Sequence, residues 1–91
     1  MNYWVYILKC SDKRKSLYTG FTNNIVQRID THEKGKGAKF TQGKQPLRLV
    51  YYERFDDKSL ALKREYKIKQ MTRTEKIKLI LDDGFSFGDD L

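Results

Sequence analysis

Residues 3–8, Tyr-Trp-Val-Tyr-Ile-Leu, form an unbroken apolar and aromatic run in a chain of only 91 residues. Six such residues have strand length, and the lack of alternation marks a strand covered on both faces. A chain this short has one core, and such a strand suits a small sheet covered by helices. Little surface is buried at this size, and any active site is expected to be a shallow groove.

The rest of the pattern completes a β-β-α-β-α-α order. A polar turn, Asp12-Lys-Arg-Lys-Ser16, leads to a second strand over 17–22, which makes a hairpin with the first. Asn23 or Asn24 can cap a helix running to about Lys34, with Gly35 or Gly37 ending it. Residues 35–46 hold Gly35, Gly37, Gly43 and Pro46 and read as a basic loop. Residues 47–55 alternate well enough for a third strand. A second helix follows over 59–70, capped by Asp56 or Asp57. Thr72-x-x-Glu75 is a capping box that opens a third helix to about Leu81, stopped by Gly84. Residues 1–82 are expected as the domain and 83–91 as an acidic, flexible tail.

Charge narrows the function. Nineteen basic residues stand against 12 acidic ones, for a net charge of +7. Four of the acids, Asp82, Asp83, Asp89 and Asp90, lie in the last ten residues, leaving +11 over residues 1–81. Such a body attracts polyanions and releases counterions on contact, so nucleic acid is the expected partner. Cys10 is the only cysteine, which excludes an intrachain disulfide and a cysteine-rich zinc site. No apolar run approaches a membrane span and no secretory h-region follows Met1, so the expected setting is cytoplasmic, or nuclear in a eukaryote.

Two helices carry polar groups where apolar ones belong. Ile25, Arg28, Ile29 and His32 follow the i, i+3, i+4, i+7 spacing, which stacks Arg28 and His32 beside the core-facing isoleucines. An Arg and a His so placed can share one phosphate; the plainer alternative is an exposed basic face. On the second helix, Ala61, Leu62, Glu65 and Ile68 share a face while Lys63, Arg64 and Lys67 point away. Glu65 is then an acid in an apolar stripe, which calls for an ion-pair partner such as Arg28 or a metal. Mg²⁺ needs only one or two carboxylates beside water and phosphate. The loop segment 35–41, Gly-Lys-Gly-Ala-Lys-Phe-Thr, combines flexible backbone, two lysines, an aromatic and a hydroxyl, which suits clamping of a nucleic-acid backbone. It lacks the Gly-Lys-Ser/Thr ending of a phosphate-binding loop.

With these residues in order, the chain resembles the GIY-YIG nuclease family, and in particular its small stand-alone bacterial members. Trp4-Val5-Tyr6 and Tyr18-Thr19-Gly20 stand as the two half-motifs, followed by Arg28, His32, the basic loop and Glu65. The likeness spans nearly all of residues 3–81 and implies a domain without appended DNA-binding modules. It also implies an α+β fold, a three-stranded antiparallel sheet flanked by three helices. The implied activity is metal-dependent cleavage of DNA, more than RNA, including branched or damaged DNA, with a partner protein as one source of specificity.

Each site residue then has an implied role. Tyr6, Tyr18 and His32 would handle the attacking water and its proton, and Arg28 would stabilise the transition state. Glu65 would hold one divalent ion, Mg²⁺ or Mn²⁺. Gly20, Lys36, Lys39, Thr41 and Lys44 would contact the nucleic acid. Two positions depart from the family pattern: Trp4 replaces the motif glycine, and Ile77 stands where some relatives carry an asparagine. The rival class is a non-catalytic nucleic-acid-binding module with the same fold.

Overall fold

In the computed structural model, residues 1–83 are described; the expected tail, apart from Asp83, and the Gly84 helix stop lie outside them. The opening apolar run forms β1 (Tyr3–Lys9), which pairs antiparallel with both β2 (Leu17–Thr22) and β3 (Arg48–Phe55). The sheet order is therefore β2-β1-β3, with the unbroken run in the centre. Three helices complete the fold: α1 (Ile25–Glu33), α2 (Lys58–Lys69) and α3 (Arg73–Asp82). The order β-β-α-β-α-α matches the sequence reading.

Alternation along β1 divides its side chains between two faces. Val5 and Ile7 join Tyr51, Ala61, Ile68 and Ile80 in the main apolar core, where α2 packs on the sheet. Tyr6 and Leu8 are equally buried on the opposite face. Each helix begins on a side-chain cap. Asn24 accepts from the Gln27 amide, Asp57 from the Ser59 amide, and Thr72 forms a reciprocal capping box with Glu75. These caps satisfy amides that a helix start leaves unpaired.

The orientation of α2 differs from the sequence expectation. Leu62 is 40% exposed, and Arg64 does not point away into solvent. Its guanidinium turns to the sheet and bonds Glu53 of β3 at 2.9–3.1 Å through Nε and Nη2, while Tyr51 donates to the same carboxylate. The inward face is thus Ala61, Arg64, Glu65 and Ile68. An ion pair shared with a strand rotates the helix off the stripe that hydrophobicity alone selects.

Gly20 fixes how β1 and β2 meet on the Tyr6 side. It stands opposite Tyr6 in the ladder. A Cβ at position 20 would come within 2.4 Å of both Tyr6 Cζ and the phenolic oxygen. The bare backbone lets the Tyr6 ring lie across β2, the edge strand. Gly20→Ala is therefore expected to destabilise the fold by about 1–3 kcal/mol, the usual cost of forcing an extra methyl into a packed site. Denaturant unfolding checks this, and a loss within about 0.5 kcal/mol, the range of an ordinary surface change, would contradict the packing described.

Candidate active site

Because Asn24 starts α1 directly after β2, the helix presents Arg28 and His32 one turn apart toward the Tyr6 side of the sheet. His32 is fully buried. Its Nε2 lies 2.8 Å from the Tyr6 oxygen and its Nδ1 lies 2.9 Å from Thr41 Oγ1. The Thr41 hydroxyl also contacts the Ala38 carbonyl at 3.0 Å. A carbonyl only accepts, so the threonine proton is committed there and its oxygen accepts from His32 Nδ1–H. Nε2 is then the bare nitrogen, and it accepts the Tyr6 phenol proton. The result is one directed chain, Tyr6 to His32 to Thr41 to Ala38, in a water-poor setting.

The loop holds this chain by close approach. A Cβ at Gly37 would sit 2.3 Å from His32 Nδ1, so only glycine lets the backbone fold against the imidazole. Thr41 is itself completely buried. It was expected to touch nucleic acid, as was Gly20; in the folded chain both are buried. Burial leaves neither accessible, and they support His32 and Tyr6 instead.

Burial also sets the protonation states. It pushes the Tyr6 phenol up to about 12, partly opposed by hydrogen bonding and charge from Arg28, with the charges of Tyr18 and Glu65 adding to the rise. Burial, with the nearby Arg28 cation, pulls His32 below its ordinary 6.5. Arg28, Tyr18 and Glu65 therefore all act on one phenol, so residues from β1, β2, α1 and α2 meet around Tyr6.

Tyr18 is the more accessible of the two phenols. Its ring lies 5.3 Å from that of His32 and stacks on Phe40 at 5.8 Å. Lys44 rests 3.6 Å above the Phe40 centroid, with its Nζ 3.9 Å from Asp12. Lys44, expected to contact phosphate, is thus engaged by Asp12 and Phe40, while Lys36 and Lys39 are exposed. Glu65 is largely buried, its side chain 18% exposed, and its ion-pair partner is Lys69 at 3.2 Å rather than Arg28. Among the described residues no three His, Cys, Asp or Glu gather as a metal cluster. A lone, cation-holding carboxylate fits only a hard ion that keeps most of its water, such as Mg²⁺.

Lys69 and the approach of Gly37 to His32, a glycine read in the sequence only as a helix stop and loop residue, are contributions the sequence did not single out. Helical spacing places Lys69 one turn after Glu65, which was a usable signal. Nothing local announces that Gly37 folds back onto α1.

Known proteins resemble this chain over most of its length. The family model described as GIY-YIG catalytic domain matches residues 2–78. A UPF0213 protein of Clostridium perfringens is 56% identical over 80 residues, covering 88% of this chain and 83% of that one. A UPF0213 protein of Oceanobacillus iheyensis is 53% identical over 78 residues, covering 86% and 88%. The solution NMR structure of a UPF0213 protein from Bacillus halodurans superposes with a TM-score of 0.60 at 44% identity, covering 92% of this chain and 87% of that one.

The shifts at His32 and Tyr6 each tie stability to pH. The unfolded imidazole takes up a proton near 6.5, whereas the folded one resists until lower pH, so acidification through 6.5 favours unfolding. The unfolded phenol loses its proton near 10.0 and the folded one only near 12, so alkaline pH above 10.0 also favours unfolding. Stability measured against pH should fall on both sides of this interval. The acid-side slope should flatten in His32→Gln, and an unchanged slope would place the acid sensitivity elsewhere.

Proposed function

The chain belongs to the GIY-YIG catalytic-domain family, and on that footing we propose that it is an endonuclease hydrolysing DNA phosphodiester bonds. The observation that carries the proposal is the buried Tyr6–His32–Thr41 chain with Arg28 and Glu65 acting on its phenol end. Binding alone needs no such chain, since surface lysines suffice for a polyanion.

In this mechanism Tyr18, the accessible phenol, orients a water for in-line attack on phosphorus. As the oxygen–phosphorus bond forms, the water proton passes to the Tyr6 oxygen while the Tyr6 proton moves to His32 Nε2. Thr41 keeps the imidazole in the tautomer that can accept it. Arg28 stabilises the extra negative charge of the pentacovalent phosphorus. Its own positive charge also disfavours imidazolium, which drives the proton onward and resets the relay. Glu65 would hold a divalent cation, whose chemistry is Lewis-acid stabilisation of the departing oxygen. Lys69 neutralises the Glu65 carboxylate in the resting protein, and a divalent cation held there would take its place. Lys36 and Lys39 supply phosphate contacts that position the strand without reading its sequence. Branched or damaged DNA, a specificity-giving partner protein and a cytoplasmic setting accompany this proposal; no helix among the described residues is long and apolar enough to cross a membrane.

Glu65→Gln, Tyr6→Phe and Tyr18→Phe should stay folded and bind DNA nearly as the parent does, yet lose metal-dependent cutting by about 100-fold or more. Cleavage of linear, nicked, flapped and branched DNA with Mg²⁺ or Mn²⁺, alongside thermal melts, reads both properties. A parent inactive on every substrate, with Glu65→Gln unfolded, would leave a binding module. Independently, alanine at both Lys36 and Lys39 should reduce the slope of log affinity against log salt by about 2, roughly one per lysine. An unchanged slope would remove the loop from the binding face.

A further inference from the structure

Beside the buried tyrosine, the same sheet face carries aromatics that no step above uses. Trp4 lies two residues before Tyr6 on β1, and Tyr52 stands directly opposite Tyr6 on β3. Alternation puts all three side chains on one face. Tyr6 leans the other way, over Gly20 and toward His32, which leaves the β3 side open. There Trp4, half-buried, meets Tyr52 edge-on, with ring centroids 5.7 Å apart and planes at 65°. Tyr52 is 55% exposed, a large apolar surface to leave in water. Arg54 follows Tyr52 on the same face, across from Trp4, with its side chain 47% exposed. Its partner Asp56 is 80% exposed, so that ion pair is weak and the guanidinium can turn to another anion.

We propose that Trp4 and Tyr52 form a stacking subsite for an unpaired nucleobase of a single DNA strand, with Arg54 on the adjacent phosphate. The proposal deepens the nuclease reading and rests on it for the identity of the polyanion. Aromatic rings on an exposed sheet face beside a cation are the surface on which single strands stack their bases. The edge-on geometry keeps one ring in place while the other offers its face. In a paired duplex the base faces are already stacked on one another, so this surface favours a single strand, a flap or an unpaired junction arm. The subsite begins one strand spacing, about 5 Å, from the Tyr6 backbone. A base held there belongs to a nucleotide close to the phosphate presented to Tyr6 and Arg28.

The single tryptophan makes the test direct. Trp4 fluorescence is followed in the full chain, with a chelator present to prevent cutting, during titration with short oligothymidylate. An abasic strand of the same length and a fully paired duplex serve as controls. Oligothymidylate should quench Trp4 and bind about 5- to 150-fold more tightly than the abasic strand, the range expected for one stacked base. Tyr52→Ala should erase that preference and Tyr52→Phe should retain it. Equal affinity for abasic and base-bearing strands, or an unchanged preference in Tyr52→Ala, would overturn the subsite. A merely structural role for Tyr52 would show the same way, as a lower melting temperature with the preference intact. Failure of the nuclease reading looks different: base-dependent quenching would persist while the parent cuts none of the panel.

Discussion

The hydrogen bond between Tyr6 and His32 is the contact around which the other parts are arranged. Both groups are buried, and an unsatisfied hydroxyl or imidazole in that position costs on the order of 1–3 kcal/mol. Every atom of the pair therefore needs a partner, and the chain supplies them in series through Thr41 and Ala38. Each partner requires close backbone approach, which explains glycine at 20 and 37: a methyl at either place would collide with one of the two rings. The central strand, the last turn of α1 and the 35–41 loop are held in register by this one polar chain. A fold with so small a core gains specificity from it, because no shifted register satisfies all the groups.

The same burial shapes the chemistry. A phenol held near 12 is a weak acid and stays protonated at rest, while an imidazole held below 6.5 stays neutral and ready to accept. The resting site is thus one step away from its working state. Positive charge at Arg28 acts on both members, easing proton loss from Tyr6 and opposing its retention on His32. Glu65 has its charge balanced by Lys69, a half-exposed side chain that could give up the carboxylate to a divalent cation. Accessible groups lie around this buried centre: Tyr18 stacked on Phe40 on one side, Trp4 and Tyr52 on the other.

Much of this was legible in the sequence because it depends on local rules. The apolar run at 3–8, the Thr72 capping box, the caps narrowed to Asn23 or Asn24 and to Asp56 or Asp57, and the spacing of Arg28 to His32 are all short-range signals. The orientation of α2 was not legible, since Arg64 turns inward for Glu53, a partner eleven residues away on another element. Thr41 looked like a binding group because a hydroxyl in a basic loop suits phosphate, and Gly20 because of the family resemblance. Burial decides otherwise, and burial is a property of the folded chain. Lys44 likewise was expected at the phosphate, but Asp12 from the β1–β2 turn and Phe40 from its own loop hold it.

The central claim is that His32 is held neutral, with its proton on Nδ1 and its Nε2 free to accept from Tyr6. Nitrogen-15 NMR of the imidazole ring at neutral pH measures this directly, since protonated and bare ring nitrogens resonate far apart. A protonated Nδ1 with an unprotonated Nε2 is the predicted result, and Tyr6→Phe should move the Nε2 resonance while leaving the tautomer in place. A proton found on Nε2, or an imidazolium at neutral pH, would contradict the relay and with it the proposed direction of proton transfer.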